Sequence, residues 1–205
     1  MPKDTFFNLP EEKREKIMEA ALSEFETYAY DQASVNRIVQ NADISKGSFY
    51  QYFEDKKDLY KYLLNLIVQE KLKYITPSMM KPFEHGFFEV IHDMNAMGLE
   101  FAKNNPRYLK IGNLLLKDNS SPIFAEVMQD NQAAAFQAYE MLLKRGIESG
   151  EIREDVDVKF VARIMFKLSS ELLVDELDYE SEQLPETSIK VLDRFMNFIM
   201  YGIKK

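Results

Sequence analysis

The sequence predicts an all-α protein of about nine helices, and three observations support this prediction. Residues with high helix propensity, namely Leu, Met, Glu, Lys and Ala, fill the long segments of the chain. The 7 glycines and 7 prolines lie mostly between those segments, where they end helices rather than interrupt them. Within each segment the apolar residues recur every three or four positions, which is the period of an amphipathic helix.

The composition is that of a folded protein, because 46% of the 205 residues are hydrophobic and can bury a substantial core. The chain has no cysteine, and none of its apolar runs approaches the ~18 residues that a membrane helix requires. We therefore expect a soluble cytoplasmic protein that needs no cofactor. The formal net charge of −8 opposes long-range attraction to nucleic-acid phosphates, so any nucleic-acid site must be local.

The first helix is predicted to begin after Pro10. Its apolar residues share one face opposite a charged face, and they are Ile17, Ala20, Ala21, Phe25 and Tyr28. A short second helix is predicted from Ser34, a residue that can cap its N-terminus, to about Asn41. Residues 42–44 then form a short connection to the next helix.

A third helix is predicted from Ser45, again a capping residue, to about Phe53. Asp55 can cap a long fourth helix, which ends before Pro77. The inward residues of this fourth helix are Leu59, Leu63, Leu66 and Ile67.

Longer helices are predicted for the rest of the chain. Pro106 and Pro122 each suit the first position of a helix, Gly150 can end the second of these, and Asp157 can cap the next. The predicted ranges are about 84–104, about 106–117, about 121–148, from Asp157 through Leu172, and from after Pro185 through Ile203.

The segment KGSFYQYFEDKK, residues 46–57, combines four aromatic residues with a glycine and three lysines. Two short helices joined by residues 42–44 have the arrangement of a helix-turn-helix, whose second helix lies in the DNA major groove. On a helical wheel Phe49 and Phe53 share one side of that second helix. We predict that these two side chains are buried and anchor the helix.

The opposite side of the same helix carries small and hydrogen-bonding residues. Gly47, Ser48 and Gln51 lie there, flanked by Tyr50 and Tyr52. Glycine allows close approach to a duplex, serine and glutamine can meet base edges, and tyrosine hydroxyls can reach phosphates. The alternative is that the aromatic residues belong to an ordinary core and the lysines to an ordinary solvated face.

The segment ASVNRIVQNADISKGSFYQYFEDKKDLY, residues 33–60, resembles the DNA-binding signature of the TetR family of bacterial transcriptional regulators. The segment LLKRGIESGEIREDVDVKFVARIM, residues 142–165, is similar to a joint between two core helices of that family. The resemblance implies a three-helix helix-turn-helix domain over residues 1–54 and a larger helical effector-binding and dimerisation domain over residues 55–205. It also implies a repressor rather than an enzyme.

The resemblance implies a double-stranded DNA operator as partner, with Lys46 and Lys56 on the flanking phosphates. Gln51 and Tyr52 depart from the usual family residues, so the operator sequence cannot be predicted, and Val35 stands where a hydroxyl residue is frequent. Carried over residue by residue, the DNA contacts are Ser34, Asn36, Lys46, Gly47, Ser48, Tyr50, Gln51, Tyr52 and Lys56.

A homodimer, in which the last two helices of each subunit form a four-helix bundle, is also implied by the resemblance. The apolar stripes of these helices are wide for packing within one subunit, which favours an interface over a purely intramolecular core. The predicted interface residues are Phe160, Ile164, Leu168, Leu172, Leu192, Phe195, Met196 and Ile199. A dimer would place two recognition helices about 34–36 Å apart, which predicts a pseudo-palindromic operator.

Members of this family respond to a small molecule held among the helices of the larger domain. Aromatic and methionine side chains there could line an apolar, adaptable cavity, although most of them are expected to be core residues. The candidate effector-binding residues are His92, Met97, Phe101, Tyr108 and Met128. Together with His92 and Tyr108, Asn113 is a polar group that could orient an apolar effector, unless these side chains simply lie at the surface.

Two alternatives come from other classes of protein. Glu89 and His92 form a Glu-x-x-His motif of the kind that binds iron in helical bundles, but such a site needs two copies. His85 has no acidic residue three positions earlier, so we predict no metal site and no enzymatic activity. A helical adaptor that binds a protein partner and never touches DNA is the other alternative, and it would show no salt-dependent binding to a bare duplex.

Overall fold

The computed structural model describes the backbone of residues 1–176 and 186–205, together with the side chains of these residues other than 129–132, 169–176, 186–189, 191 and 192. Within these ranges the chain forms α-helices and no β-strand, which confirms the predicted all-α fold. The helices are α1 Asp4–Phe7, α2 Glu11–Thr27, α3 Val35–Asn41, α4 Lys46–Tyr52, α5 Lys56–Leu72, α6 Pro77–Met80, α7 Phe87–Asn104, α8 Pro106–Lys117, α9 Pro122–Glu148, α10 Val158–Glu176 and α11 Glu186–Ile203.

Every helix predicted from the sequence is present, and α1 and α6 are additional. Each of these two helices has four residues, which is too short to show a hydrophobic period. The side chain of Phe6 in α1 is nevertheless buried, so α1 belongs to the core rather than to a frayed terminus.

The chain divides into two compact units. The first unit contains residues 1–72 and 107–127, and the second contains residues 73–106 and 128–205. The predicted division after residue 54 separates functions rather than compact units, and it stays a prediction.

Aromatic side chains dominate the core of the first unit. The ring centroids of Phe6 and Phe53 lie 4.9 Å apart, and those of Phe49 and Phe53 lie 5.4 Å apart. Burying each such side chain contributes about 1.5–3 kcal/mol. The largest fully buried side chains of this core are Phe6, Ile17, Phe25, Ile38, Phe49, Phe53, Leu59 and Ile111.

Side-chain caps define the N-termini of three helices as predicted. The hydroxyl oxygen of Ser45 accepts a hydrogen bond from the amide of Ser48 at 3.0 Å. The carboxylate of Asp55 accepts from the amide of Asp58 at 2.8 Å, and that of Asp157 accepts from the amide of Phe160 at 3.1 Å. These bonds satisfy amides that have no partner inside the helix.

Ser34 is the N-cap residue of α3, as predicted, but its hydroxyl makes no capping bond. Instead, the carboxylate of Glu24 accepts a hydrogen bond from the amide of Ser34 at 2.7 Å and binds the guanidinium of Arg37. Glu24 is 3% exposed, so the start of α3 is held by a buried acid from α2.

A second arginine joins α8 to α2 within the first unit. The guanidinium of Arg107 donates to Glu26 at 2.7 Å, to Glu19 at 2.9 Å and to the hydroxyl of Ser23 at 2.9 Å. These three acceptors lie at helical spacing on one face of α2. On the other side of this unit, Glu126 pairs with Lys57 and Lys61.

The core of the second unit is built around the end of α9. Gly150 has φ of +80°, its amide donates to the carbonyl of Ile147, and the amide of Glu151 donates to the carbonyl of Gly146, which is the bonding of a Schellman-type helix end. A Cβ atom at Gly146 would lie 2.6 Å from Cδ1 of Ile152, so any larger residue there would require the buried side chain of Ile152 to shift. The buried residues here are Phe87, Val90, Ile91, Leu142, Leu143, Ile152, Ala162, Met165, Phe195, Ile199 and Ile203.

Candidate nucleic-acid interface and effector cavity

The turn between α3 and α4 is tight and needs a left-handed residue. Asp43 supplies it with φ of 55°, a conformation that aspartate tolerates better than most residues. The amide of Ile44 donates to the carbonyl of Val39 at 3.0 Å. This bonded turn fixes α4 relative to α3, as a helix-turn-helix requires.

The helix α4 has one buried face and one exposed face. Phe49 in α4 and Phe53 directly after it are both 0% exposed, which confirms the prediction that they anchor the helix. Gly47 and Gln51 are exposed on the other side, and Lys46 is exposed in the first turn. The exposed face therefore carries a residue without a side chain and an amide, with a cation at the start of the helix, a combination suited to a DNA groove.

The remaining predicted DNA contacts on α4 and α3 are exposed or half-buried. Ser48 is half-buried, and its hydroxyl lies 2.9 Å from that of Ser45. The ring of Tyr50 is exposed, with its inner edge against Phe49. On α3, Asn36 is exposed and Ser34 is half-buried.

Two predicted contact residues are placed differently. The side chain of Tyr52 is 6% exposed and packs in the core near Phe6. The ammonium of Lys56 donates to the carbonyl oxygens of Tyr30 and Ala33 at 2.6 and 2.9 Å. The amine therefore joins the loop before α3 to α5 rather than facing outward. Its burial lowers the pKa of Lys56.

The N-terminal segment supports α4, which the sequence did not predict. The amide of Lys3 donates to the carbonyl of Tyr52 at 2.8 Å, and the ammonium of Lys3 donates to the carbonyl of Tyr50 at 2.9 Å. The hydroxyl of Thr5 also donates to the carbonyl of Gln51. The pair Phe6-Phe7 ahead of Pro10 was the available signal.

An apolar cavity of about 440 Å³ lies in the second unit, within the usual size range of small-molecule sites. Methionine and aromatic side chains dominate its wall, and none of the described residues that line it is charged. The lining residues are Met79, Pro82, Phe83, Val90, Met94, Ala135, Ala138, Tyr139, Met141, Leu142 and Phe166.

The five predicted effector-binding residues do not line this cavity. The imidazole of His92 is exposed, with Nδ1 3.3 Å from Asp93. Phe101 is buried with its ring edge against Tyr74. Tyr108 belongs to the first unit, and Met97 and Met128 are half-buried.

Among the described residues, one buried side-chain nitrogen has no hydrogen-bond partner, and it is Nδ2 of Asn113. Asn113 is 4% exposed, so its amide group is buried rather than at the surface. Its predicted role in orienting an effector stays a prediction.

The predicted dimer residues fall into three groups. Phe160 is exposed, whereas Ile164, Leu168 and Met196 are half-buried. Phe195 and Ile199 belong to the core of their own subunit. The side chains of Leu172 and Leu192 lie outside the described residues.

Two large apolar side chains at the end of α11 were not predicted as interface residues. Phe198 is 62% exposed and Tyr201 is 89% exposed. They alternate along α11 with Phe195 and Ile199, so that helix has apolar residues on more than one side.

Across the described ranges no group of three His, Cys, Asp or Glu side chains could hold a metal ion. His85 lies 2.9 Å from Glu89, and His92 pairs with Asp93, so the Glu-x-x-His motif does not converge on one point. No helix in the described part of the chain is long and apolar enough to cross a membrane.

Known proteins are similar to the N-terminal part of the chain and also to the chain as a whole. A family model for bacterial regulatory proteins of the tetR family matches residues 17–63. The crystal structure of a TetR family transcriptional regulator from Chloroflexus aurantiacus J-10-FL has a TM-score of 0.76 and 32% sequence identity. That match covers 100% of this chain and 99% of the relative.

Two curated relatives are similar over most of their length. The HTH-type transcriptional regulator YhgD of Bacillus subtilis (strain 168) is 25% identical over 167 residues, covering 80% of this chain and 84% of the relative. The HTH-type transcriptional repressor AcnR of Corynebacterium glutamicum is 25% identical over 181 residues, covering 82% of this chain and 90% of the relative.

Proposed function

This chain belongs to the TetR family of bacterial transcriptional regulators, which are DNA-binding proteins and not enzymes, and from this premise we propose that it is a repressor released from its operator by a small molecule. The observation that carries the proposal is the two-sided α4, with Phe49 and Phe53 buried and Lys46, Gly47 and Gln51 exposed. Such a repressor acts in the cytoplasm, where bacterial DNA lies.

The proposed DNA contacts have separate roles. Gln51 and Ser48 meet base edges, while Gly47 lets the backbone of α4 approach the duplex closely. Lys46 and Tyr50 bind phosphates on either side of the groove. Asn36 and Ser34 at the start of α3 add further contacts to the backbone of the duplex.

Tyr52 and Lys56 have supporting roles in this proposal. Moving the amine of Lys56 to a phosphate would break its hydrogen bonds to the carbonyls of Tyr30 and Ala33. Each hydrogen bond to a charged group is worth about 1.5–3 kcal/mol, so a contact of this amine with phosphate would have to offset the loss of both bonds. Lys3, whose ammonium lies beside the carboxyl end of α4, is the additional cation that the structure brings close to the DNA-binding face.

A homodimer supplies the second recognition helix. Phe160, Phe198 and Tyr201 expose large apolar surfaces on α10 and α11, and contiguous apolar surface on a soluble protein marks interaction sites. The AcnR relative is named a repressor, and a dimer on a pseudo-palindromic operator would block transcription by occupying the duplex.

The proposed effector site is the apolar cavity of the second unit. Its methionines can adapt to different ligand shapes, and the predicted roles of His92, Met97, Phe101, Tyr108 and Met128 stay predictions. The effector releases the operator only to the extent that it prefers the conformation that does not bind DNA.

Binding to labelled duplex DNA at several salt concentrations tests this proposal. The logarithm of the affinity is expected to fall linearly with the logarithm of the salt concentration, with a slope of about 0.9 for each phosphate neutralised. A duplex enriched by in vitro selection should bind more tightly than a random duplex of equal length. The absence of binding to any duplex at low salt would refute the proposal and restore the adaptor alternative.

A further inference from the structure

A second cavity, of about 250 Å³, adjoins the apolar cavity in the second unit. The two cavities share Pro82, Phe83 and Leu142 as lining residues. Unlike the apolar cavity, the second one has charged and hydroxyl side chains in its wall, contributed by Glu84, His85, Arg145, Ser149 and Glu151. A ligand that occupies both cavities would therefore need an apolar part joined to a polar head.

The acidic side chains of the polar cavity already have hydrogen-bond donors. Both carboxylate oxygens of Glu84 lie 3.1 Å from the ammonium of Lys81. One oxygen of Glu151 accepts from the amide of Phe87 at 3.2 Å and from the hydroxyl of Ser149 at 3.0 Å. These two acids therefore serve the local fold and do not require a cationic ligand.

His85 is also engaged. Its Nδ1 lies 2.9 Å from a carboxylate oxygen of Glu89 on the next turn of chain. The ring nitrogen that faces Glu89 therefore already has a partner on α7.

Arg145 has the donors that a ligand could use. Within the described residues its one ion pair is to Glu148, with a distance of 3.6 Å between Nη1 and Oε2, and both side chains are about half exposed or more. A guanidinium carries five N–H donors in a planar fork that matches a carboxylate. A weak exposed pair of this kind is worth little, so most of these donors are available to a ligand.

We propose that the effector is an amphipathic carboxylate whose apolar part fills the apolar cavity and whose carboxylate binds Arg145 in the polar cavity. The proposal rests on the proposed function, because it names the chemical class of the effector for the same site. Neither half of the molecule alone meets both cavities: an apolar compound makes no contact with the guanidinium of Arg145, and a small acid leaves the apolar wall empty.

Matched single-chain probes test the proposal on the full-length protein. Dodecanoate, 1-dodecanol and dodecylamine share an apolar chain and differ in the head group, and each is titrated below its critical micelle concentration. Calorimetry measures direct binding, and fluorescence anisotropy measures release from a labelled selected operator. Dodecanoate is expected to bind about 10- to 100-fold more tightly than 1-dodecanol, the factor that a charge-assisted hydrogen bond provides.

Variants at Arg145 distinguish the contribution of the carboxylate head group to binding from that of the apolar chain. Arg145→Gln should weaken dodecanoate binding by about the same 10- to 100-fold and leave 1-dodecanol unchanged. Arg145→Lys should lie between wild type and Arg145→Gln, because it keeps the charge but not the fork. Lys144→Gln is the matched control, since Lys144 is the adjacent exposed cation and does not line either cavity.

Three binding results would each overturn the inference, namely equal binding of all three probes, tighter binding of dodecylamine, or no binding of dodecanoate. So would an Arg145→Gln variant that has the wild-type melting temperature and binds dodecanoate normally. In all of those cases tight binding to the operator without any probe would leave the proposed regulatory function standing. Loss of operator binding in the unliganded wild-type protein would instead refute the proposed function.

Discussion

Two phenylalanine side chains decide which face of α4 is available to DNA. Phe49 and Phe53 are fully buried and in contact with each other, so they fix the rotation of the helix about its axis. That rotation turns Gly47 and Gln51 outward. Removing either ring should therefore lower the stability of the fold and also make the position of the DNA-binding face less well defined.

We predict that Phe49→Ala lowers the free energy of unfolding by about 3–5 kcal/mol, the usual effect of deleting a buried aromatic ring. Urea unfolding followed by circular dichroism measures this change. Tyr50→Ala is the control on the neighbouring, exposed position and should change stability by less than about 1 kcal/mol. A Phe49→Ala variant as stable as wild type would show that this ring does not anchor α4.

The helical wheel was sufficient to predict the burial of Phe49 and Phe53, because both belong to one short periodic segment. It was not sufficient for Tyr52 or Lys56. The acceptors of the Lys56 amine, Tyr30 and Ala33, are more than twenty residues away in sequence, and the contact of Tyr52 with Phe6 depends on the unpredicted α1. Such contacts depend on tertiary packing, which local periodicity does not encode.

Helix α3 is positioned by a buried ionic contact from α2. Glu24 binds both the amide of Ser34 and the guanidinium of Arg37, and the ring of Tyr28 stacks under that guanidinium at 4.1 Å. A paired and hydrogen-bonded buried acid is costly to disturb, because its partners are left unsatisfied.

We predict that Glu24→Gln destabilises the protein by about 1–3 kcal/mol, since it keeps the shape of the side chain but removes the charge that Arg37 binds. Chemical unfolding gives the value. Glu12→Gln, an exposed change on the same helix, should have an effect within about 0.5 kcal/mol. If the two variants were equally stable, the contact of Glu24 with α3 would have no energetic role.

The short helix α6 is joined to α7 by a carboxylate. Oδ2 of Asp93 accepts hydrogen bonds from the hydroxyls of Ser78 at 2.5 Å and Thr76 at 3.1 Å. The bond from Ser78, followed by contributions from His92 and Thr76, lowers the pKa of Asp93.

This lowered pKa predicts a pH-dependent difference between wild type and Asp93→Asn. A carboxyl group whose pKa is lower in the folded state stabilises the protein above its unfolded pKa of about 3.9, and the stabilisation is lost as the pH falls through the folded value. Wild type should therefore melt at a higher temperature than Asp93→Asn at pH 7, and the two should converge in acid. A difference that stays constant from neutral to acidic pH would contradict this assignment.

Elements of different length were not equally predictable from the sequence. The caps Ser45, Asp55 and Asp157 and the stop at Gly150 were found because capping is a local property of the chain. The one-turn helices α1 and α6 were not predicted, and neither was the contact of the Ser34 amide with Glu24, ten residues earlier.

At the scale of the whole molecule, the proposed function needs two subunits. The exposed apolar residues Phe198 and Tyr201 on α11 and Phe160 on α10 are the described side chains best placed to form the contact. Phe195 and Ile199, which the sequence suggested for this role, are used within the subunit core. Periodicity identified α11 as apolar but could not divide its residues between core and interface.

We predict that Phe198→Asp converts the proposed dimer into a monomer, because it would place a charge in the proposed apolar contact. Sedimentation velocity should show a lower mass at the same concentration, and operator affinity should fall by at least about tenfold as the second recognition helix is lost. Val68→Asp, at an exposed position on α5, is the control. A variant Phe198→Asp that keeps the wild-type mass and affinity would exclude α11 from the interface.

The role of α4 as the reading helix is tested most directly by in vitro selection of duplexes with wild type and with Gln51→Ala in parallel. We expect wild type to enrich a pseudo-palindrome with related half-sites about one helical turn apart. Gln51→Ala should enrich the same pattern with relaxed preference at one base position in each half-site, where the lost contact is worth about 1–3 kcal/mol. An identical pattern from both proteins, or no enrichment by wild type, would contradict the assignment of this exposed face to DNA.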